Sequence, residues 1–370
     1  EGVVKSGHVI SLNRFEAEAA REASADDRAA GQLRHKTLFE QAFRELHHLA
    51  PKVLRRRDRA FKVRFIGEGA DDYGGVFREA ITNMCAELQS DSSLLFILTP
   101  NGKFGNGDNR SAYTIRPSAT TSDALAQFAF LGKIMGCAFL QKELTLDFEL
   151  SGHVWKRIAG LELSDTDLAS FDESTLTSMR RLVHIDDDGI DEDTFGDLFF
   201  ETFETSLSDD SSVELIEDGA ATDVPFHTRA KFADLVINAR LSEGALACEA
   251  LLAGISSVVP SARLLSLMTG RELEKLTCGE AEIDVAQLKA HTSYGATAAA
   301  GMAHVRFFWA VLEAFTTEQR RLFLKFIWGR NRLPLTEDDW GDQRMKIHTL
   351  DKANPDAYFP VVHTCFFSIE

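Results

Sequence analysis

Apolar residues recur along this chain at two spacings. Phe39, Ala42, Phe43, Leu46 and Leu49 fall at the three- and four-residue intervals of one helix face until Pro51 stops the pattern. Phe61-Lys62-Val63-Arg64-Phe65 instead alternates apolar with basic, as a half-buried strand does, and runs into a glycine-rich segment from Gly67 to Gly75 that predicts a turn. Val76, Phe77, Ala80, Ile81, Met84, Cys85 and Leu88 mark a second amphipathic helix, and Ser122-Asp123 opens a strongly apolar one reaching Phe139. Helical patterning resumes over 228–254, and a helix over 271–278 stops at Gly279, a suitable C-cap. Beyond it the spacing predicts a helix over 303–315. Thr316 with Gln319 forms a capping-box pattern for the next helix, which ends near Gly329.

Three stretches break the regularity. The N-terminal 34 residues are rich in Ala, Glu and Arg with little apolar periodicity, and read as a solvent-facing helical extension. Residues 183–221 are rich in Asp, Glu and Ser around Phe195, Phe199, Phe200 and Phe203, which suggests a small α/β subdomain. Gly279-Glu280-Ala281 reads as a candidate hinge, and the tail beyond Met345 mixes short apolar strands with Pro- and Asp-containing turns. Together these elements predict an α+β protein with more than one core.

Composition narrows the function. A chain of 370 residues, 44% hydrophobic and 26% charged, is long enough for two or three globular units. Its longest apolar stretch, Phe128 to Leu140, is interrupted by Lys133 and falls short of the roughly 20 residues that cross a bilayer, so no membrane span is expected. The first residues lack the layout of a secretory signal, which leaves a cytoplasmic or nuclear setting as the expectation. A formal charge of −17 works against nucleic acid as a partner, because phosphate binding relies on Lys and Arg displacing counterions. The basic cluster Arg55-Arg56-Arg57-Asp58-Arg59 is short, contains an acid, and reads as a solvated face.

The polar motifs exclude several chemistries. Asp72 occupies the third glycine position of a dinucleotide fingerprint begun by Gly67 and Gly69, no Gly-Lys-Ser/Thr follows, and Glu68, Asp71 and Asp72 would repel a phosphate. The histidines show no His-Glu-x-x-His spacing, and the five cysteines form neither a Cys-x-x-Cys pair nor a disulfide framework. No metal or cofactor is expected. Cys85 and Cys248 fall on apolar helical stripes, Cys137 lies within an apolar helix, and Cys278 closes another, so these four read as buried structural thiols. Cys365 differs. Pro360 biases the chain toward an extended conformation, and if Val361-Val362-His363-Thr364-Cys365 continues as a strand, His363 and Cys365 project from the same face.

The segment from Arg332-Leu333-Pro334 to Phe359-Pro360-Val361-Val362-His363-Thr364-Cys365-Phe366 resembles the active-site end of HECT ubiquitin ligases, whose motif is a Leu-Pro followed by Thr-Cys-Phe. Phe359 here replaces the usual Leu. Phe65-Ile66-Gly67-Glu68, Asp72-Tyr73-Gly74-Gly75-Val76-Phe77-Arg78-Glu79, Phe130-Leu131-Gly132-Lys133, Glu272-Leu273 through Cys278-Gly279, and Phe308-Trp309 resemble further family motifs in the same order, so the likeness covers almost all of the chain after His35. The Thr-Cys-Phe-Phe ending, with Leu350-Asp351-Lys352 and Asn354-Pro355 before it, is most similar to the large RCC1-repeat (HERC-like) group.

The resemblance implies a bilobal fold. A mainly helical N-lobe over 35–278 would bind a ubiquitin-conjugating enzyme through its subdomain at 183–221, residues 279–281 would form the interlobe hinge, and a smaller α/β C-lobe would occupy 282–370. It also implies that Cys365 carries ubiquitin as a thioester and passes it to a lysine of a protein substrate. His363 would assist thiolate formation, Thr364 would orient the loop, Phe232 would line the docking groove for the conjugating enzyme, and Phe195 would be its neighbour. The family continues past the position of Glu370, so the C-lobe is expected to be truncated at its C-terminal end. Two other readings are a HECT-like binding scaffold without transfer activity and a Cys–His hydrolase. The hydrolase lacks an orienting third residue and an oxyanion motif.

Overall fold

The expected strand at Phe61–Phe65 forms, and its partner is the N-terminal segment His8–Leu12, which pairs with it in parallel with Ile10 opposite Val63. This computed structural model describes residues 8–22, 36–56, 59–68, 75–141, 144–259, 265–280, 282–296, 298–330, 332–334, 337–350, 352, 354 and 357–370. Ile10 and Leu12 are buried, and the following helix Arg14–Arg21, N-capped by Asn13, buries Ala17 and Ala20. Where it is described, the N-terminal stretch is therefore part of the main core and not a solvent-facing extension; residues 1–7 and 23–34 lie outside the described residues. The pairing joins segments some fifty positions apart, as the register His8 to Phe61 shows, and such a partner leaves no mark in local periodicity.

The main core is built from helices Leu38–Leu46, Gly75–Leu88, Ser122–Ala138, Ala245–Val258 and Gly270–Cys278. Ser122–Ala138 and Ala245–Val258 cross closely because both are glycine at the contact: a Cβ at Gly132 would strike the Leu251 carbonyl, and one at Gly254 the Ala129 carbonyl. The helical stretch expected over 228–254 is two helices, Arg229–Ser242 and Ala245–Val258, separated at Gly244, whose φ of +68° is left-handed. By length and composition, residues 226–258 would suffice to cross a membrane, but this break divides them and the second helix packs into the core.

The acidic, Phe-rich segment has its own small core. Helix Asp165–Val183, the short helix Glu192–Phe195, the hairpin Glu204–Ser206 with Ser212–Glu214, and helix Arg229–Ser242 enclose Leu182, Phe195, Phe203, Val224, Phe232 and Val236. After Gly279 a further core forms around Leu288, Trp309, Leu324, Ile327 and Trp340. Its helices are Val285–Ala290, Ala303–Ala314 and Thr317–Trp328, the last held by the expected Thr316/Gln319 capping box and ended by left-handed Gly329. They cover a four-stranded sheet in the order Thr292–Tyr294, Met345–Ile347, Ser368–Ile369, Val362–His363. The architecture is thus a mixture of helices and short sheets, an α+β fold.

Candidate active site

The last two strands of that sheet, one at its edge and one inside it, place Cys365. Val362–His363 and Ser368–Ile369 pair antiparallel, His363 opposite Ser368, and residues 364–367 close the hairpin between them. Thr364–Phe366 is a single 3-10 turn, closed by the Phe367 N–H donating to the Thr364 carbonyl at 3.3 Å. The strand therefore ends at His363. The expected alternation that would set His363 and Cys365 on one face does not apply, because Cys365 lies in a turn where side chains no longer alternate. His363 and Thr364 are exposed, and the Cys365 side chain lies outside the described atoms.

Thr364 and Phe366, the two neighbours of Cys365, line a cleft of about 680 Å³ between the C-terminal unit and the main core. The opposite wall comes from helix Gly75–Leu88 and from Leu144, Thr145, Leu146 and Asp147. Asp147 is the most informative group there. One of its carboxylate oxygens, Oδ1, is buried without a hydrogen-bond partner. Burial pushes the carboxyl up to about 6, helped by nearby Glu149 and opposed by Lys325, Arg332 and Arg321. Asp147 lines the cleft, and a carboxyl with a raised pKa is a candidate proton acceptor there. In the sequence it is one acid in an alternating run, and only the packing of the C-terminal unit over it reveals its position.

Arg332 joins the two walls. The residue is 7% exposed; Nη2 donates to the Phe148 carbonyl at 3.1 Å and meets Glu274 Oε1 at 2.8 Å, and Nη1 donates to the Gly279 carbonyl at 3.3 Å. Arg321 adds an ion pair to Glu149 across the same boundary. The candidate hinge lies beside this arginine. Gly279 has φ +86° and ψ −175°, a conformation open to glycine, and a Cβ there would meet the Leu333 carbonyl at 2.9 Å. Glu280 bridges to Leu333 and pairs with Lys275, while Ala281 lies outside the described residues.

Phe232 and Phe195 occupy the small core. Phe232 is 3% exposed, packed edge-on against Phe199 and Phe203 at centroid distances of 6.0 and 5.7 Å, and forms part of the floor of a second cleft of about 700 Å³ with Met179, Leu182, Phe199 and Val236. Phe232 thus lines a groove as a buried ring and not as an exposed anchor, because helix Arg229–Ser242 turns it inward against its neighbours. Phe195 is also buried, tilted against Phe199 and edge-on to Phe226, and does not line the cleft. The large apolar side chains left exposed nearby are Leu198 and Phe200, the latter 79% exposed. Sequence patterning had no means to sort the exposed from the buried phenylalanines in so irregular a segment.

The other four cysteines are buried free thiols. Burial pushes Cys137, Cys248 and Cys278 up to about 12, and raises Cys85 well above the usual thiol range. A thiol held protonated and out of solvent is a poor nucleophile, which leaves the turn cysteine as the reactive candidate. Among the described residues no group of three or more His, Cys, Asp and Glu side chains is placed to hold a metal ion.

A family model described as the HECT domain, a ubiquitin-transferase, matches residues 82–370, ending beyond the Thr-Cys-Phe turn. The chain belongs to the HECT-domain family. It is 34% identical to the human E3 ubiquitin-protein ligase HERC2 over 98% of its own length, which agrees with the resemblance to the HERC-like group. The mouse E3 ubiquitin-protein ligase HUWE1 is 30% identical over 96% of the chain, and the E3 ubiquitin-protein ligase pub3 of Schizosaccharomyces pombe 27% over 90%. The chain spans 7% of the length of HERC2, 8% of HUWE1 and 41% of pub3.

Proposed function

We propose that this HECT domain is the catalytic part of a ubiquitin-protein ligase that takes ubiquitin from a conjugating enzyme as a thioester on Cys365 and passes it to a lysine of a protein substrate. The observation that carries the reading is the match to a ubiquitin-transferase family through the Thr364–Phe366 turn, in which the two neighbours of Cys365 line the cleft that also holds Asp147.

The chemistry fits these parts. In the first step the Cys365 thiolate attacks the carbonyl carbon of the incoming thioester, a new C–S bond forms, and the conjugating enzyme's thiolate leaves. One thioester replaces another, so the step is nearly balanced and depends on positioning. In the second step the lysine amine attacks the Cys365 thioester, the C–S bond breaks, and the thiolate departs while Asp147 accepts the proton shed by nitrogen. His363 is exposed beside the turn, where it can assist thiolate formation, and Thr364 bears on the turn through the carbonyl that accepts from Phe367.

The two lobes of the proposal correspond to the main core, including the N-terminal strand and helix at 8–21, with its small Phe-rich core, through residue 278, and to the core after residue 282. The conjugating enzyme docks on the Phe-rich unit, with exposed Phe200 and Leu198 as contacts and Phe232 as the buried floor that shapes the cleft. Rotation about 279–281 lets one sulfur serve both steps, because donor and acceptor cannot occupy the attack position together. A cytoplasmic or nuclear setting belongs to the same proposal. The test is to incubate the protein with activating enzyme, a panel of conjugating enzymes, ATP and ubiquitin, and to look for an adduct that thiol reductant removes. Absence of any such adduct across the panel, with the positive control charged, contradicts the reading.

A further inference from the structure

The backbone after Cys365 takes an uncommon path. Phe367 has φ +49° and ψ +54°, the left-handed region that non-glycine residues adopt at a cost, and it does so with a large ring that is 3% exposed. That ring lies flat on Trp328, with centroids 4.0 Å apart and an interplanar angle of 7°. Trp328 in turn stacks on Trp340 at 5.6 Å and 18°, and Trp340 on His291 at 4.0 Å and 10°. The column runs from the turn that carries Cys365 into the core of the C-terminal unit. Its far end is held by His291, whose ring nitrogens sit 2.9 Å from the Gln287 carbonyl and 2.9 Å from Glu337. On the main chain, the Phe367 carbonyl accepts from the Lys346 N–H at 2.8 Å, and its N–H closes the turn on Thr364.

We propose that Trp328 and Phe367 are positioning residues for ubiquitin transfer: their stacked rings hold Phe367 in the left-handed conformation and so fix the backbone of the turn that bears Cys365. The stack offsets the backbone cost, since a left-handed phenylalanine persists only where its surroundings over-determine it. Without the flat partner, Phe367 relaxes to an ordinary negative φ and the turn moves with it. The inference rests on the assignment of Cys365 as the thioester-bearing residue.

The experiment compares Trp328→Leu and Trp328→Phe with the parental protein in single-turnover charging from a ubiquitin-loaded conjugating enzyme, alongside alkylation of Cys365 by iodoacetamide. Loss of the stack should lower the limiting charging rate on the order of tenfold or more, the scale expected of a small misplacement of a reacting group. The concentration of loaded conjugating enzyme giving half-maximal rate should stay unchanged, because docking is on the distant Phe-rich unit. Alkylation by a small reagent should also be unchanged, and Trp328→Phe, which keeps a flat ring, should recover most of the rate. Should the leucine variant not fold, Trp328→Met, which fills the space with an unbranched chain, replaces it. Charging at the parental limiting rate, or a loss of charging matched by an equal loss of alkylation, overturns the proposal. Failure of the parental protein itself to charge on Cys365 would instead refute the assignment on which the proposal rests.

Discussion

Glu87 links helices Gly75–Leu88 and Leu38–Leu46, and its replacement by glutamine gives a quantitative check on the fold. The carboxylate reaches from helix Gly75–Leu88 to the start of helix Leu38–Leu46, where Oε1 and Oε2 accept the Leu38 and Phe39 N–H groups at 3.1 and 3.0 Å. Burial nevertheless raises its pKa from 4.5 to about 7, outweighing the two amide donors and Arg21. A raised carboxyl pKa means that the folded state binds the proton more tightly than the unfolded chain. The stability from this group is full below the unfolded value near 4.5 and is lost as pH rises through the folded value near 7. At about 1.4 kcal/mol for each pKa unit, the loss between roughly pH 5 and pH 8 is about 2 kcal/mol. Glu87→Gln cannot ionise and, like the protonated acid it replaces at low pH, offers one carbonyl acceptor, so in acid the two proteins should be about equally stable. Urea unfolding of both proteins across that range should show similar stability in acid and the variant more stable by about 2 kcal/mol at the alkaline end, where only the parental protein has lost stability. A stability difference that stays constant with pH would refute the reasoning.

Asp147→Asn should leave charging of Cys365 intact and slow discharge onto a lysine acceptor by about a hundredfold; in the parental protein discharge should fall as pH drops through about 6 and Asp147 takes up a proton. Equal effects on both steps, or no acid limb in the parental profile, would remove the base role. Phe232→Ala should destabilise the small core by about 3 kcal/mol in a urea titration, as truncation of a buried phenylalanine does, whereas Phe200→Ala should leave stability unchanged and weaken binding of the conjugating enzyme about tenfold. Calorimetry showing unaltered affinity for the Phe200 variant would move the docking site elsewhere. Gly279→Ala, which forces a side chain into a glycine-only conformation against Leu333, should slow both charging and discharge while the first unit stays folded; parental rates would show that this segment does not set the lobe geometry.

The helices of this protein are largely legible from sequence because each buries one face, so apolar spacing, Thr316/Gln319 capping and the stop at Gly329 all report local physics. Strand His8–Leu12 escapes that reading, since its hydrogen bonds come from a partner about fifty residues away. The turn at Thr364–Phe366 escapes it for another reason: Val, His, Thr and Phe are all compatible with a strand, and the left-handed Phe367 that closes the turn stacks on Trp328, a partner remote in sequence. Cys365 itself is marked by its motif and by the apolar settings of the other four cysteines, whereas Asp147 gains its meaning only when the C-terminal unit closes the cleft. Phe232 shows the converse. A motif position identifies the right neighbourhood, but packing decides which ring faces the partner and which forms the floor.

The central claim is that one sulfur, on Cys365, carries ubiquitin. It is tested most directly by incubating the parental protein and Cys365→Ala with activating enzyme, conjugating enzyme, ATP and ubiquitin, and resolving the products on a non-reducing gel, with Cys85→Ala, Cys137→Ala and Cys248→Ala as controls. The account predicts a reductant-sensitive adduct in the parental protein and in the three controls, and none in Cys365→Ala. An adduct of undiminished intensity in Cys365→Ala would contradict it.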